Sequence, residues 1–131
     1  MGIFVDYPVN PFSKLTSTPT VILETGSGAN LHSLQVNSII ICNRGAADIR
    51  FNLQRQRTGD NPVLTFLVNQ FEIKGYQTVD IIERLGLQIF LEYSTSPNPV
   101  IIDSLICFSN GKTQEFDCEV NYTRLNDLPL I

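Results

Sequence analysis

Charged residues are scarce in this sequence, which also has no tryptophan, one histidine and one methionine among its 131 residues. Charged side chains make up 17% of the chain, against roughly 25% in an average soluble protein. With so few charges, we expect part of the surface to be neutral, either polar or covered by neighbouring molecules. This shortage favours a protein that assembles with others.

The single histidine, His32, leaves few routes to catalysis. A Ser-His-Asp triad cannot be drawn confidently from one histidine, and no serine has the Gly-x-Ser-x-Gly surroundings of a hydrolase. The acidic residues fall in turns or at solvent-facing strand positions, where charges protect sheet edges from pairing. The glycines of "GSGAN" precede no lysine, so a phosphate-binding loop is not indicated. We therefore expect no enzyme activity, no cofactor and no metal site.

The net charge of −4 at pH 7 argues against nucleic acid as a partner. Phosphate binding needs clustered lysine and arginine, and only Arg50, Arg55 and Arg57 come close together, on a strand that divides them between two faces. No run reaches ~18 apolar residues, so we expect no membrane span. The opening "MGIFVDYPVNP" has no basic start and no apolar core, unlike a signal peptide.

Three cysteines, Cys42, Cys107 and Cys118, are an odd number without the spacing of a metal site. Each lies in an apolar or alternating run, where cysteine acts as a small buried hydrophobic residue. We therefore predict three free thiols in the core of a chain that folds in a reducing cytoplasm.

Short apolar or alternating segments separated by turn signals predict about seven to nine strands. Among them are Thr20–Glu24, Ile49–Arg57, Val63–Ile73, the short strand "QTVDII" and the return strand "LQIFLEYS" that begins at Leu87. Their number and spacing indicate an all-β fold, an antiparallel β-sandwich or jelly roll, as a single domain over residues 19–131. Hairpin loops are predicted at Asn43–Asp48 and at Asn110–Thr113, the second with the Asn-Gly pair that favours such turns. The residues expected inside the sandwich are Ile40, Cys42, Phe51, Leu53, Ile89 and Leu91.

Residues 1–18 form a proline-containing segment without a helical period, and we expect an extended N-terminal arm. Its apolar side chains are the candidate interface residues: Phe4, Tyr7, Phe12 and Leu15. Left in water, each would forgo roughly 1.5–3 kcal/mol on full-burial scales. The arm is therefore predicted to dock on a neighbouring subunit or another protein, and its deletion to leave the melting temperature nearly unchanged.

The order of features resembles a family of small β-sandwich virion proteins of tailed bacteriophages. Such proteins open with a threonine-rich strand, here "LTSTPTVILE", and a glycine-rich turn, here "TGSGAN". A strand, a small-residue turn and an alternating strand come next, here "LQVNSIIICNRGAADIRFNLQ", and later a strand pair, here "GYQTVDIIERLGLQIFLEYS". The match covers about Leu15 to Ser94, and the arm and the closing "EFDCEVNYTRLNDLPLI" lie outside it.

The resemblance implies a structural protein of a phage particle, on the capsid surface, at the neck or in the tail. It implies that the chain folds in the host cytoplasm and ends in the virion. Its expected partners are other virion proteins and copies of itself in a homo-oligomer, because a symmetric contact made once is made at every copy.

The alternative function is a carbohydrate-binding sandwich, since lectins use the same architecture. Sugar sites present exposed aromatic rings, and this sequence lacks tryptophan. Three other rings could serve instead: Tyr76, Tyr93 and Phe90. Strand burial is the competing explanation for most of them.

Overall fold

A computed structural model describes residues 6–8, 12–26, 31–58, 63–95, 100–110 and 114–125. In this part of the chain there are eleven strands and one short helix, and the strands form two antiparallel sheets, which confirms the predicted all-β sandwich. The strands are β1 (Asp6–Pro8), β2 (Phe12–Leu15), β3 (Thr20–Glu24), β4 (Ser33–Asn43), β5 (Ile49–Thr58), β6 (Val63–Ile73), β7 (Thr78–Asp80), β8 (Ile89–Leu91), β9 (Tyr93–Ser94), β10 (Ile101–Asn110) and β11 (Phe116–Leu125), and the helix is α1 (Ile81–Leu85).

The first sheet, sheet A, has the strand order β1–β11–β4–β7, with β2 also on β11 and β8 also on β4. Its two central strands, β4 and β11, pair along their whole length. The strands at its edges have only three or four residues each. Short edge strands limit pairing with other chains, so sheet A is protected at both sides.

The second sheet, sheet B, has the order β3–β10–β5–β6, with β9 also on β10. Its strands β5, β10 and β6 have 10, 10 and 11 residues. β6 pairs with β5 on one side, and no described strand pairs with its other side. A long strand therefore forms one edge of sheet B.

The core lies between the two sheets. The ring of Phe51 on β5 meets the ring of Phe116 on β11 edge to face, with 5.9 Å between centroids. Such pairs add about 0.5–1.5 kcal/mol to the burial of the rings themselves. Four of the side chains predicted inside are buried: Phe51, Leu53, Ile89 and Leu91.

Two of the predicted core residues, Ile40 and Cys42, are only partly buried, and for them the prediction is wrong. Asn37 is an extra residue in β4, because Val36 pairs with Tyr122 and Ser38 with Asn121. A bulge of one residue reverses which side chains point inward. Beyond it, the buried apolar residues of β4 are Ile39 and Ile41 instead.

The hairpin predicted at Asn43–Asp48 is also wrong, because β4 lies in sheet A and β5 in sheet B. The chain crosses from one sheet to the other there. β10 and β11 likewise lie in different sheets, so the hairpin predicted around Asn110 is a second crossing. Both segments have the polar and small residues of a turn, and composition does not distinguish a hairpin from a crossing.

The segment "QTVDII" is predicted as a strand, but the strand ends at Asp80 and α1 begins at the next residue. The Asp80 side chain caps the helix by accepting a hydrogen bond of 3.1 Å from the Ile82 N–H. Gly86 ends it with φ 62°, a left-handed conformation that glycine adopts without penalty. The return strand predicted from Leu87 is divided into β8 in sheet A and β9 in sheet B.

Candidate functional site

The unpaired side of β6 is the longest free edge among the described strands. The run Val63–Phe71, "VLTFLVNQF", contains no charged residue. At its start, Leu64 is 55% and Phe66 51% exposed. We call Val63–Phe66 the β6 edge. It combines unpaired backbone groups with apolar side chains in solvent.

The second half of β6 is bent away from a regular strand. Gln70 has φ 56°, and its N–H donates a hydrogen bond of 3.0 Å to Oδ1 of Asn52 instead of to a backbone carbonyl. The register of the pair β5–β6 shifts twice near this point. Bulges of this kind hinder pairing with another strand. The regular and open part of the strand is therefore the β6 edge.

The outer face of sheet B continues the β6 edge across the sheet. One row of side chains crosses it from β3 to β6: Val21, Ile106, Gln54 and Phe66. The row is roughly 14 Å wide at the usual strand spacing and carries no charge. Val21 and Phe66 are about half exposed at its two ends. This row is neutral and partly apolar, whereas the neighbouring row, which crosses from Leu64 through Gln56 and Ser104, ends at the carboxylate of Glu24 on β3.

A groove lies on the opposite side of the sandwich, on sheet A. β7 pairs with β4 as far as Ile40, and β8 resumes the pairing at Val36. Between these points α1 leaves the sheet, and its cap residue Asp80 accepts a hydrogen bond of 3.2 Å from the Ile39 N–H. A space of about 530 Å³ remains between the helix segment and the sheet. Its lining residues are Gln35, Val36, Asn37, Ile82, Leu87, Gln88, Ile89 and Phe90.

None of the residues that line the groove is ionisable at neutral pH. Three carry amide side chains, and Phe90 is 48% exposed. Asn37 donates a hydrogen bond of 2.7 Å to the Thr123 hydroxyl, which fixes its side chain. The groove is thus neutral, with polar groups beside an aromatic ring.

The predicted arm residues lie in different places. Phe12 and Leu15 are on β2, which pairs with β11, and both side chains are partly buried against the core of the same chain. Tyr7 lies on β1, where its backbone is paired with Tyr122 of β11. Phe4 is outside the described residues. The docking of the arm on a neighbour stays a prediction, and the same-chain core accounts for part of the apolar surface of Phe12 and Leu15.

The three aromatic residues considered for sugar binding differ in their surroundings. Tyr93 is partly buried, and a Cβ on Gly26 would approach its ring to 2.8 Å. Tyr76 is 71% exposed in the turn before β7, with φ 59°. Phe90 alone lines the groove. Exposure by itself would favour Tyr76 as a sugar-binding residue, whereas the polar and apolar groups around the ring favour Phe90.

The arginines that the sequence brings together do not form one patch. Arg57 binds the buried carboxylate of Asp103, and Arg50 lies 4.0 Å from Glu72. Among the described residues, no group of three or more His, Cys, Asp or Glu side chains is arranged to hold a metal ion. Nor is any helix in those ranges long and apolar enough to cross a membrane.

Comparison of the chain with protein-family models, with curated proteins and with solved structures finds no match. The described part of the chain presents two candidate surfaces, the β6 edge and the groove.

Proposed function

We propose that this protein is a non-enzymatic structural component of a bacteriophage particle, assembling through repeated symmetric contacts on the capsid surface, neck or tail. The observation that carries the proposal is the β6 edge, an uncharged strand edge beside a partly apolar sheet face. The sequence resemblance of residues 15–94 to small virion sandwich proteins supplies the phage setting.

An open strand edge is a template for another strand, because its N–H and C=O groups point outward in a regular row. Proteins that avoid such contacts place lysine, proline or a bulge on the edge. The β6 edge has none of these over its four residues, whereas the second half of the strand has bulges. Addition of a strand here would satisfy the backbone groups and cover part of the Leu64 and Phe66 side chains with those of the added strand.

A second copy of the chain is the partner that we propose for the β6 edge. Two identical edges can pair antiparallel about a two-fold axis, because such a contact uses the same patch on both molecules. No like charges meet in this pairing, since Val63–Phe66 carries none. Contacts with other virion proteins would then use other surfaces, including the arm with Phe4 and Tyr7.

Light scattering after size-exclusion chromatography tests the self-contact. The wild-type protein should show more than the mass of one chain, increasing with concentration. Phe66→Lys should give the single-chain mass, because the edge then carries a hydrated charge. Leu85→Lys changes an exposed apolar residue of α1 on the other sheet and should behave as wild type. A wild-type protein that stays monomeric at every concentration would remove the proposed contact.

Mass spectrometry of purified phage particles tests the setting separately. The phage whose genome encodes this chain should contain it in stoichiometric amounts after purification. Its absence from the particles would exclude the virion role, even where the light-scattering result supports self-association.

A further inference from the structure

The groove on sheet A has no role in the self-contact at the β6 edge. It lies on the other sheet, and its lining comes from β4, α1, β8 and the segment between α1 and β8. Its volume of about 530 Å³ is within the ~300–1,000 Å³ typical of ligand pockets. Since α1 and Asp80 hold the groove open, the space is built into the fold and does not depend on a partner.

Phe90 offers a flat apolar platform with amides on two sides. Gln35 is its direct partner across the pair β4–β8, where opposite side chains lie about 4.5–5.5 Å apart at Cβ. Gln88 precedes Phe90 by two residues and lines the same groove. Within the described ranges, neither glutamine side chain has a hydrogen-bond partner, and both are exposed. Their donors and acceptors are available beside the ring.

We propose that this groove binds a neutral saccharide. The C–H face of a pyranose ring can stack on Phe90, while its hydroxyls, which both donate and accept, pair with the amides of Gln35 and Gln88. The partly buried Ile82 and Leu87 close the apolar side of the space. Phosphates and carboxylates find no cation there, since the lining contains no lysine or arginine. An uncharged, hydroxyl-rich ligand therefore fits the lining best.

Saturation-transfer NMR on the full chain tests this inference with three probes, the neutral oligosaccharides of glucose, galactose and N-acetylglucosamine. At least one should bind saturably and transfer magnetisation from aromatic protons to its ring protons. Phe90→Ala should weaken that binding by about tenfold or more, because the stacking surface is lost. Phe90→Leu keeps an apolar side chain without the flat face and should weaken it as well. Gln88→Ala should weaken binding less.

Tyr76→Ala is the matched control, because Tyr76 is an exposed aromatic residue that does not line the groove. It should bind the probe as the wild type does. The inference is overturned if none of the three oligosaccharides binds, or if the Phe90 and Gln88 variants bind with unchanged affinity. It is also overturned if Phe90→Ala abolishes self-association while no oligosaccharide binds, since the groove would then be a protein contact. The self-contact at β6 has its own test in Phe66→Lys, so the two proposals can fail independently.

Discussion

Arg57 donates two hydrogen bonds of 2.8 Å, from Nε and Nη2, to the two carboxylate oxygens of Asp103, whose side chain is fully buried. One of those oxygens also accepts a bond of 2.7 Å from the Glu92 N–H, at the point where the chain passes from β8 to β9. The hydrogen bonds to Asp103 raise the pKa of Arg57, against the opposing effect of burial. This ion pair links β5 and β10, which are neighbours in sheet B. Through Glu92 it also connects them to the point where the chain passes from sheet A to sheet B.

Replacing Arg57 with alanine should destabilise the protein strongly. The Asp103 carboxylate would remain buried without its cation, a situation that typically costs about 3–5 kcal/mol. Arg44→Ala is the control, because in its ion pair of 3.0 Å the carboxylate of Asp117 is partly exposed and not buried, and pairs in contact with solvent are worth ~1 kcal/mol or less. Urea unfolding followed by circular dichroism measures both. Equal losses in the two variants would mean that the pair of Arg57 with Asp103 contributes no more to stability than the more exposed pair.

Asn43 should be a second stabilising point, where the chain passes from β4 in sheet A to β5 in sheet B. Its Nδ2 donates to backbone carbonyls of Ala47 at 2.8 Å, Lys74 at 3.1 Å and Ile73 at 3.2 Å. Asn43→Ala leaves these buried or partly buried groups without the donor, and we expect a loss of about 1–3 kcal/mol or more in the free energy of unfolding. Asn69→Ala, on an exposed position of β6, should change the same quantity by less than ~0.5 kcal/mol.

The individual strands could be predicted from the sequence because alternation and turn residues are local signals. β3 and β6 have the bounds that the sequence indicates, and β5 extends one residue further, to Thr58. The pairing of strands is a non-local property. The residues of Asn43–Asp48 suit either a hairpin or a crossing, so nothing local could reveal that β4 and β5 belong to different sheets.

The same limit applies to faces and surfaces. The run Ile39–Cys42 is apolar throughout, so the pattern carries no sign of the bulge at Asn37 that decides which of its residues are buried. The uncharged stretch of β6 is visible in the sequence, but only the strand order shows it to be an edge. Phe90 can be named as a candidate for sugar binding from its aromatic side chain alone. Its amide neighbours Gln35 and Gln88 come together only through the pairing of β8 with β4.

The three thiols should differ in reactivity in the native protein. Cys107 and Cys118 are buried, while Cys42 is partly exposed, and all three are free. Hydrogen bonding to the Cys107 thiol, together with burial, raises the pKa of Cys118 far above its usual value. Because the thiolate is the reactive form, iodoacetamide at pH 8 should modify Cys42 first. Mass spectrometry should find one modified cysteine in native protein and three after denaturation; rapid native modification of Cys118 would contradict this arrangement.

The raised pKa of Cys118 also predicts a loss of stability in alkaline solution. In the unfolded chain the thiol loses its proton near its ordinary pKa, about 8.5–9, whereas in the folded chain it stays protonated. The unfolded state then binds fewer protons, so the free energy of unfolding falls as the pH rises above about 9. Cys118→Ala should flatten this dependence in urea titrations between pH 8 and pH 10. An equal slope in wild type and variant would assign the loss to other groups.

Two N-terminal truncations should separate the part of the arm that belongs to the sandwich from the part that does not. The sequence predicts that removal of residues 1–18 leaves the melting temperature nearly unchanged, but β2 pairs with β11 within the same chain. Phe12 and Leu15 are partly buried against the core, and the Ser109 N–H donates a bond of 3.1 Å to the Thr16 carbonyl. At about half of the full-burial value, the two side chains contribute roughly 1.5–3 kcal/mol together.

Removal of residues 1–18 should therefore lower the melting temperature by roughly 5–12 °C in differential scanning calorimetry. Removal of residues 1–11 keeps β2 and takes away, among the described pairings, that of the three-residue strand β1 with β11, so we expect the melting temperature to fall by no more than a few degrees. If the shorter truncation lowers it as much as the longer one, residues 1–11 belong to the domain's own core. Incorporation of the variant that lacks residues 1–11 into phage particles then tests docking of the arm. If this variant is stable but is absent from the particles, it has lost a contact and not its fold.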